Sequence, residues 1–169
     1  RERFGESYGL WMHESAHGID RREVTLYSEP KSISRETTFE QDMHVRRHRD
    51  NLTQVLLHLA DKLSQDLVRK QRLAKTIGVK VRFADFKSLT RDITTGEVVG
   101  SAEDILQAAR ACLKKIPFEQ KGAQSTIRLL GIKASHLITP ADAALEQLAR
   151  ESRKSKGQAQ LFLDLEDAP

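Results

Sequence analysis

A short alternation of apolar and polar side chains constrains the fold of this chain more than any other feature. The alternating residues are Val79, Lys80, Val81, Arg82, Phe83 and Ala84. A period of two is typical of a β-strand with one buried face, because successive side chains point to opposite sides of a sheet. If the apolar positions face the core, Lys80 and Arg82 point away from it. The sequence therefore predicts a sheet with one covered face and one open, basic face.

Two amphipathic helices are predicted to cover that sheet. The first helix signal begins at Asp42, and its apolar positions recur at helical spacing. These positions are Leu52, Val55, Leu56, Leu59 and Leu63. The second helix follows Ser101, a suitable N-cap, and its inner face consists of Ile105, Ala109, Cys112 and Leu113. Each helix therefore has one apolar stripe to bury.

The order of the elements predicts the fold class. Four segments carry strand signals: residues 31–40, a segment that begins at Gly78, residues 86–94 and residues 125–134. The third segment ends at a turn signal, Thr94-Thr95-Gly96. The resulting order, β-α-β-β-α-β, indicates an α+β fold with a four-stranded antiparallel sheet and two helices on one face. A helix over residues 4–17 and a linker precede this unit, and a short helix over residues 141–150 follows it.

Composition limits the classes of partner. The 169 residues include 28 Lys and Arg against 24 Asp and Glu, for a formal net charge of +4. The last eleven residues contain three acids and no base, so the preceding body is more basic and suits a polyanion. No run of about 18 apolar residues is present, and no membrane partner is expected. A single cysteine, Cys112, favours a reducing, cytoplasmic location over a disulfide framework.

Four segments, in order, resemble the C-terminal part of Y-family translesion DNA polymerases of the DNA polymerase IV type. They are residues 4–24, which contain FGESYGLW and HGID; residues 31–39 (KSISRETTF); residues 81–91, which begin VRFADF; and residues 127–132 (IRLLGI). The resemblance implies that residues 1–20 are the end of a thumb domain, 21–30 a linker and 31–138 a little finger domain. Residues 139–157 would be a helix and tether, and 158–169 a clamp-binding tail.

The resemblance also implies a division of labour. In the family, acidic residues of the palm domain hold two Mg²⁺ ions for nucleotidyl transfer. Nothing in this sequence resembles those motifs, and the chain has no initiating Met, so we expect a piece of a longer bacterial polymerase. We expect it to need no cofactor itself, to be inactive alone, and to bind primer–template DNA and the sliding clamp in the cytoplasm.

The residues predicted to contact DNA are cations and small hydroxyls, which suit phosphate oxygens without reading base sequence. By resemblance they are Lys31, Ser32, Ser34 and Arg35 on the first strand, Arg82, Thr90 and Arg91 on the middle strands, and Arg128 and Lys133 on the last. Lys80 joins them by its place on the predicted open face. Leu129 stands where the family often has a basic residue.

The tail resembles the clamp-binding peptide of bacterial relatives. Gln158, Leu161 and Phe162 match its pattern, in which Leu and Phe enter an apolar pocket and Gln supplies a hydrogen bond. Ala159 departs from the Leu that is often found at the second position. An unfolded tether suits such an anchor, because it lets the body move while the peptide stays bound.

Two other functions fit parts of the sequence. His13, Glu14 and His17 match the His-Glu-x-x-His helix motif of zinc hydrolases, although Gly18 ends the helix and no third ligand is marked. The chain could also belong to a non-catalytic DNA-repair accessory protein that retains the little finger to bind partners.

Overall fold

The computed structural model describes residues 3–26, 28–119, 122 and 125–152. The elements are α1 (Glu6–Ala16), β1 (Ser32–His44), α2 (Arg49–Arg69), β2 (Leu73–Phe83), β3 (Ser88–Val99), α3 (Ala102–Leu113), β4 (Thr126–Ile138) and α4 (residues 140–152). The predicted α+β order β-α-β-β-α-β is confirmed between β1 and β4. No helix within the described ranges is long and apolar enough to cross a membrane.

The four strands form one antiparallel sheet in the order β1-β4-β2-β3. Helix α2 packs on β1 and β4, α3 packs on β2 and β3, and the two helices contact each other. Val79, Val81 and Phe83 of the alternating segment are fully buried beneath them. The prediction that this alternation separates a core face from an open face is therefore confirmed.

The helices fit the sheet through the stripes that the sequence indicated. Helix α2 buries Leu56, Leu59 and Leu63, among others, and α3 buries Ile105 and Cys112. The Ser101 hydroxyl accepts a hydrogen bond from the backbone N–H of Asp104 at 3.1 Å, as a helix N-cap does. Burial raises the pKa of the Cys112 thiol, which suits a small core residue better than a nucleophile.

Three predicted boundaries were wrong. Strand β1 continues to His44, so Asp42 lies in a strand and α2 begins later, at Arg49. Strand β2 begins at Leu73, so Gly78 lies in its middle. The turn-like residues 94–96 lie inside β3, where the register with β2 shifts and the extra residues form a bulge. Asp42 and residues 94–96 lie at register shifts of the sheet, whereas Gly78 lies in regular register with Asp92 and Lys133.

Helix α1 ends as predicted. Gly18 has φ +71°, its N–H bonds to Ser15 O at 3.0 Å, and the N–H of Ile19 bonds to Glu14 O at 2.9 Å. These two bonds form the glycine-terminated C-cap known as a Schellman motif. No residue of α1 is buried, and Tyr8 and Trp11 stack on each other with their rings 5.2 Å apart.

Candidate nucleic-acid interface

The sheet face opposite the helices carries two rows of charged residues that cross the strands. In one row, the register aligns Glu36 of β1, Gly131 of β4 and Lys80 of β2. In the next row, it aligns Lys133 of β4, Gly78 of β2 and Asp92 of β3. Each row thus has an acid and a lysine on either side of a glycine.

In both rows the acid approaches the lysine across the glycine. Glu36 Oε2 accepts a hydrogen bond from Lys80 Nζ at 3.0 Å, and Asp92 Oδ1 lies 3.8 Å from Lys133 Nζ. The four side chains are all between 37% and 47% exposed. Exposed ion pairs of this kind contribute at most about 1 kcal/mol to stability, so a competing anion can replace the acid as the partner of the lysine.

The two glycines make room for these pairs. A Cβ atom at Gly131 would lie 2.8 Å from Glu36 Cβ, and one at Gly78 would lie 1.9 Å from Asp92 Oδ1. With no side chains at these positions, a shallow concavity of about 220 Å³ lies over the centre of the sheet. Its lining residues include Ser34, Thr90 and the two lysines. A glycine in a strand interior often marks such a close approach.

The rest of the open face carries hydroxyls and one more cation. Arg82 Nε donates to Ser88 Oγ at 3.1 Å, while Ser32, Ser34 and Thr90 are exposed. Lys31 is exposed just before β1. Leu129 belongs to this face by its register with Arg82, and it is buried although it lies outside the core cluster beneath the helices. The structure therefore brings Lys80, Arg82 and Lys133 together as predicted.

Arg128 occupies an irregular position at one end of the sheet, where the register between β2 and β4 shifts. Its Nη1 atom lies 3.3 Å from Asp42 Oδ1, and its guanidinium lies 4.9 Å from the centre of the Phe86 ring. The side chain is 38% exposed. It is thus held by a carboxylate and an aromatic ring near the tip of the β2–β3 hairpin.

Two of the cations predicted to contact DNA lie on the other side of the sheet. Arg35 has the same orientation as the buried Ile33 and forms an ion pair with Asp66 of α2. The hydrogen bond from Arg35 holds the pKa of the Asp66 carboxyl below its ordinary value, against the opposing effect of burial. Arg91 aligns with the buried Val79 and donates to Lys115 O, at the end of α3. Neither residue shares the open face.

The zinc motif does not form a site. The rings of His13 and His17 lie 4.4 Å apart, but His17 Nδ1 bonds to the backbone oxygen of His13 at 2.8 Å. Glu14, the base in such a motif, forms an ion pair with Arg21 at 3.0 Å. In the part of the chain that the structure describes, no three His, Cys, Asp or Glu side chains could hold a metal ion. The described residues therefore offer no set of ligands for the Mg²⁺ that the family resemblance implies for the whole polymerase.

The sequence did not indicate the acids, the glycines or Phe86 as part of the interface. Gly78 and Gly131 carried a usable signal, because glycine is unfavourable inside a strand unless something requires the space. Glu36 and Asp92 gave no comparable signal. The predicted clamp-binding residues Gln158, Leu161 and Phe162 lie outside the described residues.

Comparisons with known proteins agree with this architecture. A protein-family model described as the impB/mucB/samB family C-terminal domain matches residues 30–150. A DNA polymerase IV of Dehalococcoides mccartyi (strain CBDB1) is 36% identical over 150 residues, which cover 84% of this chain and 37% of that protein. A DNA polymerase IV of Bacteroides fragilis (strain YCH46) is 34% identical over 146 residues, covering 85% of this chain and 38% of that protein.

The fold also resembles a solved structure. A Y-family DNA polymerase chimera of Dbh and Dpo4 superposes with a TM-score of 0.51 at 18% identity, covering 80% of this chain and 36% of the chimera. At this identity, the likeness concerns the fold alone. The chain spans well under half the length of the relatives that it matches.

Proposed function

Because this chain belongs to the impB/mucB/samB family C-terminal domain, we propose that its open sheet face binds primer–template DNA through the sugar–phosphate backbone. The observation that carries the proposal is the placement of Lys80, Arg82 and Lys133 on the sheet face opposite α2 and α3. Cations and hydroxyls contact phosphate oxygens without reading base sequence. This property suits an enzyme that must accept any template, damaged or intact.

The open face has features that favour an extended anion. Its lysines come from two neighbouring strands, about 4.8 Å apart in a sheet, and exposed hydroxyls of Ser34 and Thr90 lie beside them. The acids Glu36 and Asp92 neutralise the lysines but add little to the stability of the fold, so phosphates can replace these acids. Bringing phosphate oxygens close to the sheet is easier where Gly78 and Gly131 leave the backbone uncovered.

The remaining parts of the proposal concern the whole protein. We propose that it is a bacterial, cytoplasmic translesion DNA polymerase that extends primers past damaged template bases, with Mg²⁺ held by a palm domain. In that enzyme this chain positions DNA and is not catalytic. Residues 158–162, with Gln158, Leu161 and Phe162 as anchors, attach the polymerase to the sliding clamp. The support for clamp attachment is the sequence pattern of the tail.

The DNA-binding proposal is tested with the 169-residue chain and a fluorescent primer–template, by anisotropy over a series of NaCl concentrations. The logarithm of the binding constant should fall linearly with the logarithm of salt, with a slope of about −0.9 for each phosphate bound by a cation. Lys80→Ala and Lys133→Ala should each make the slope shallower by about 0.9. Arg110→Ala, on the exposed side of α3, is the matched control and should leave the slope unchanged. Absent or salt-insensitive binding would refute the proposal.

A further inference from the structure

The tip of the β2–β3 hairpin holds an aromatic residue in an unfavourable backbone conformation. The N–H of Phe83 bonds to Lys87 O at 2.9 Å, and the N–H of Phe86 bonds to Phe83 O at 3.0 Å. Phe86 therefore follows a tight turn and has φ +66°, in the left-handed region. Hairpins of this kind usually place glycine there, since a bulky side chain is an outlier with positive φ.

Burial does not compensate for this conformation, because Phe86 is 64% exposed. The described contact of its ring is with the Arg128 guanidinium, 4.9 Å from the ring centre, and Arg128 is itself held by Asp42. A cation over an exposed aromatic ring stabilises the fold only weakly, by no more than the backbone strain costs. Strained residues that the fold retains without a packing benefit are found preferentially at binding sites.

Cations outnumber acids around the ring. Lys87 follows Phe86 with its side chain 77% exposed and pairs with Asp85 at 3.2 Å, and Arg82 lies on the open face near the start of the turn. An exposed aromatic ring beside cations is the combination by which proteins bind single-stranded nucleic acids: the ring stacks on a base and the cations contact phosphates. Every base has a π-face, so this contact tolerates any sequence.

We infer that Phe86 stacks on an unpaired base of the template, with Arg128 supporting the ring from one side. The inference rests on the proposed DNA-binding function and adds a single-strand contact to it. A base inside a duplex has its π-faces covered by its neighbours, so an exposed ring gains most from an unpaired base. The hairpin tip thus distinguishes single-stranded template from duplex, whereas the open face binds the backbone.

The test measures the affinity of the 169-residue chain for two fluorescent stem-loop DNAs. One has a blunt end, and the other has a short 5′ overhang. Phe86→Ala should weaken binding to the overhang DNA about five-fold or more, and change binding to the blunt DNA less than about two-fold. Phe86→Trp should preserve the preference for the overhang. Val68→Ala removes an apolar side chain of similar exposure from α2 and should change neither affinity. An overhang of abasic nucleotides should bind the wild-type chain as weakly as the normal overhang binds Phe86→Ala.

Two further variants separate stacking from a structural role. Phe86→Leu keeps an apolar side chain without a π-face, and it should lose the overhang preference as Phe86→Ala does. Phe86→Gly suits the positive φ and should melt no lower than the wild type by circular dichroism, yet bind the overhang DNA more weakly. Restoration of binding by Leu, or an equal loss on both DNAs, would overturn the inference. Failure of the wild type to bind the blunt DNA would instead count against the proposed function.

Discussion

The Lys80 ammonium group donates a hydrogen bond to the Glu36 carboxylate, 3.0 Å away, across a glycine of the strand that separates them. Lys133 and Asp92 repeat the arrangement across Gly78 at 3.8 Å. The open face is therefore less positive than its cations alone suggest. Each pair is exposed and weak, so a phosphate can take the place of the carboxylate beside the lysine.

The acids should oppose DNA binding. Glu36→Gln and Asp92→Asn each remove a negative charge beside the proposed phosphate positions, and each should strengthen DNA binding up to about five-fold at low salt. The gain should shrink at high salt, because exposed charges are screened. Glu103→Gln, which makes the same charge change in α3 away from the open face, is the control. Weaker binding of the two open-face variants would show that the acids help to position the lysines.

The two glycines should differ in their tolerance of alanine. In Gly131→Ala the new Cβ would meet Glu36 Cβ at 2.8 Å, and that atom can move only with the backbone of β1. We expect a loss of roughly 1–3 kcal/mol in the free energy of unfolding. In Gly78→Ala the close atom is Asp92 Oδ1, at the end of a side chain that can rotate away, so the loss should stay below about 1 kcal/mol. Urea denaturation followed by circular dichroism measures both, and equal losses would contradict this explanation.

The ion pair between Arg35 and Asp66 should make stability depend on pH. The folded-state pKa of Asp66 lies below its ordinary value of 3.8, chiefly because of the hydrogen bond from Arg35. The pair therefore stabilises the fold fully at pH values well above 3.8, and this contribution is lost as the pH falls towards the folded-state pKa. Asp66→Asn should lower the free energy of unfolding by roughly 1–2 kcal/mol at pH 7.

The measurement is urea denaturation of the wild type and Asp66→Asn from pH 7 to pH 3. The difference between them should narrow below about pH 4, where the Asp66 carboxyl of the unfolded wild-type chain begins to take up a proton while that of the folded chain stays ionised. Asp61→Asn, at an exposed position of the same helix, is the control and should show little change at any pH. A pH-independent difference would mean that Asp66 acts through packing and not through its charge.

The position of Arg91 gives a prediction about the salt dependence of DNA binding. Its alignment with Val79 and its bond to Lys115 O place it on the helix side of the sheet. In the anisotropy titration, Arg91→Ala should leave the slope within about 0.5 of the wild-type value, whereas Arg82→Ala should make it shallower by about 0.9. If Arg91→Ala flattened the slope as much as Arg82→Ala does, DNA would also reach the edge of the sheet near α3.

The tail should attach the chain to the sliding clamp through two apolar anchors. Leu161→Ala combined with Phe162→Ala should weaken binding to a purified bacterial clamp at least about tenfold, because such anchors fill pockets in an interface. DNA binding should be unchanged. Leu165→Ala, outside the matching pattern, is the control in the same surface plasmon resonance experiment. Undiminished clamp binding by the double variant would refute the assignment of the tail.

The sequence predicted most of the fold because local patterns and burial agree along this chain. Ser101, followed by two acids, marks where α3 begins, and the alternation at Val79 identifies the covered face of β2. The resemblance to the C-terminal region of DNA polymerase IV, drawn from four ordered segments, is confirmed by the family match over residues 30–150. The boundaries at Asp42 and Gly78 were missed, because bulges and cross-strand contacts are long-range features.

The side of the sheet on which some of the predicted site residues lie could have been narrowed from the sequence. Ser34 and Arg35 are neighbours in a strand, as are Thr90 and Arg91, so at most one of each pair could face the open side. Alternation alone does not say which member that is. The answer came from the register, which aligns Arg35 with Ile132 and Arg91 with Val79, both on the core side.

The sequence by itself determined the order of the strands and helices and the single covered face of the sheet, because these depend on local spacing and hydrophobicity, and its ordered segments indicated the family. The tertiary structure alone decided which charges meet. Glu36, Lys80 and Gly131 are far apart in the chain, and they form one row only because the order β1-β4-β2 and its register align them. Pairing between strands is a property of the whole sheet, so no local pattern specifies the resulting contacts.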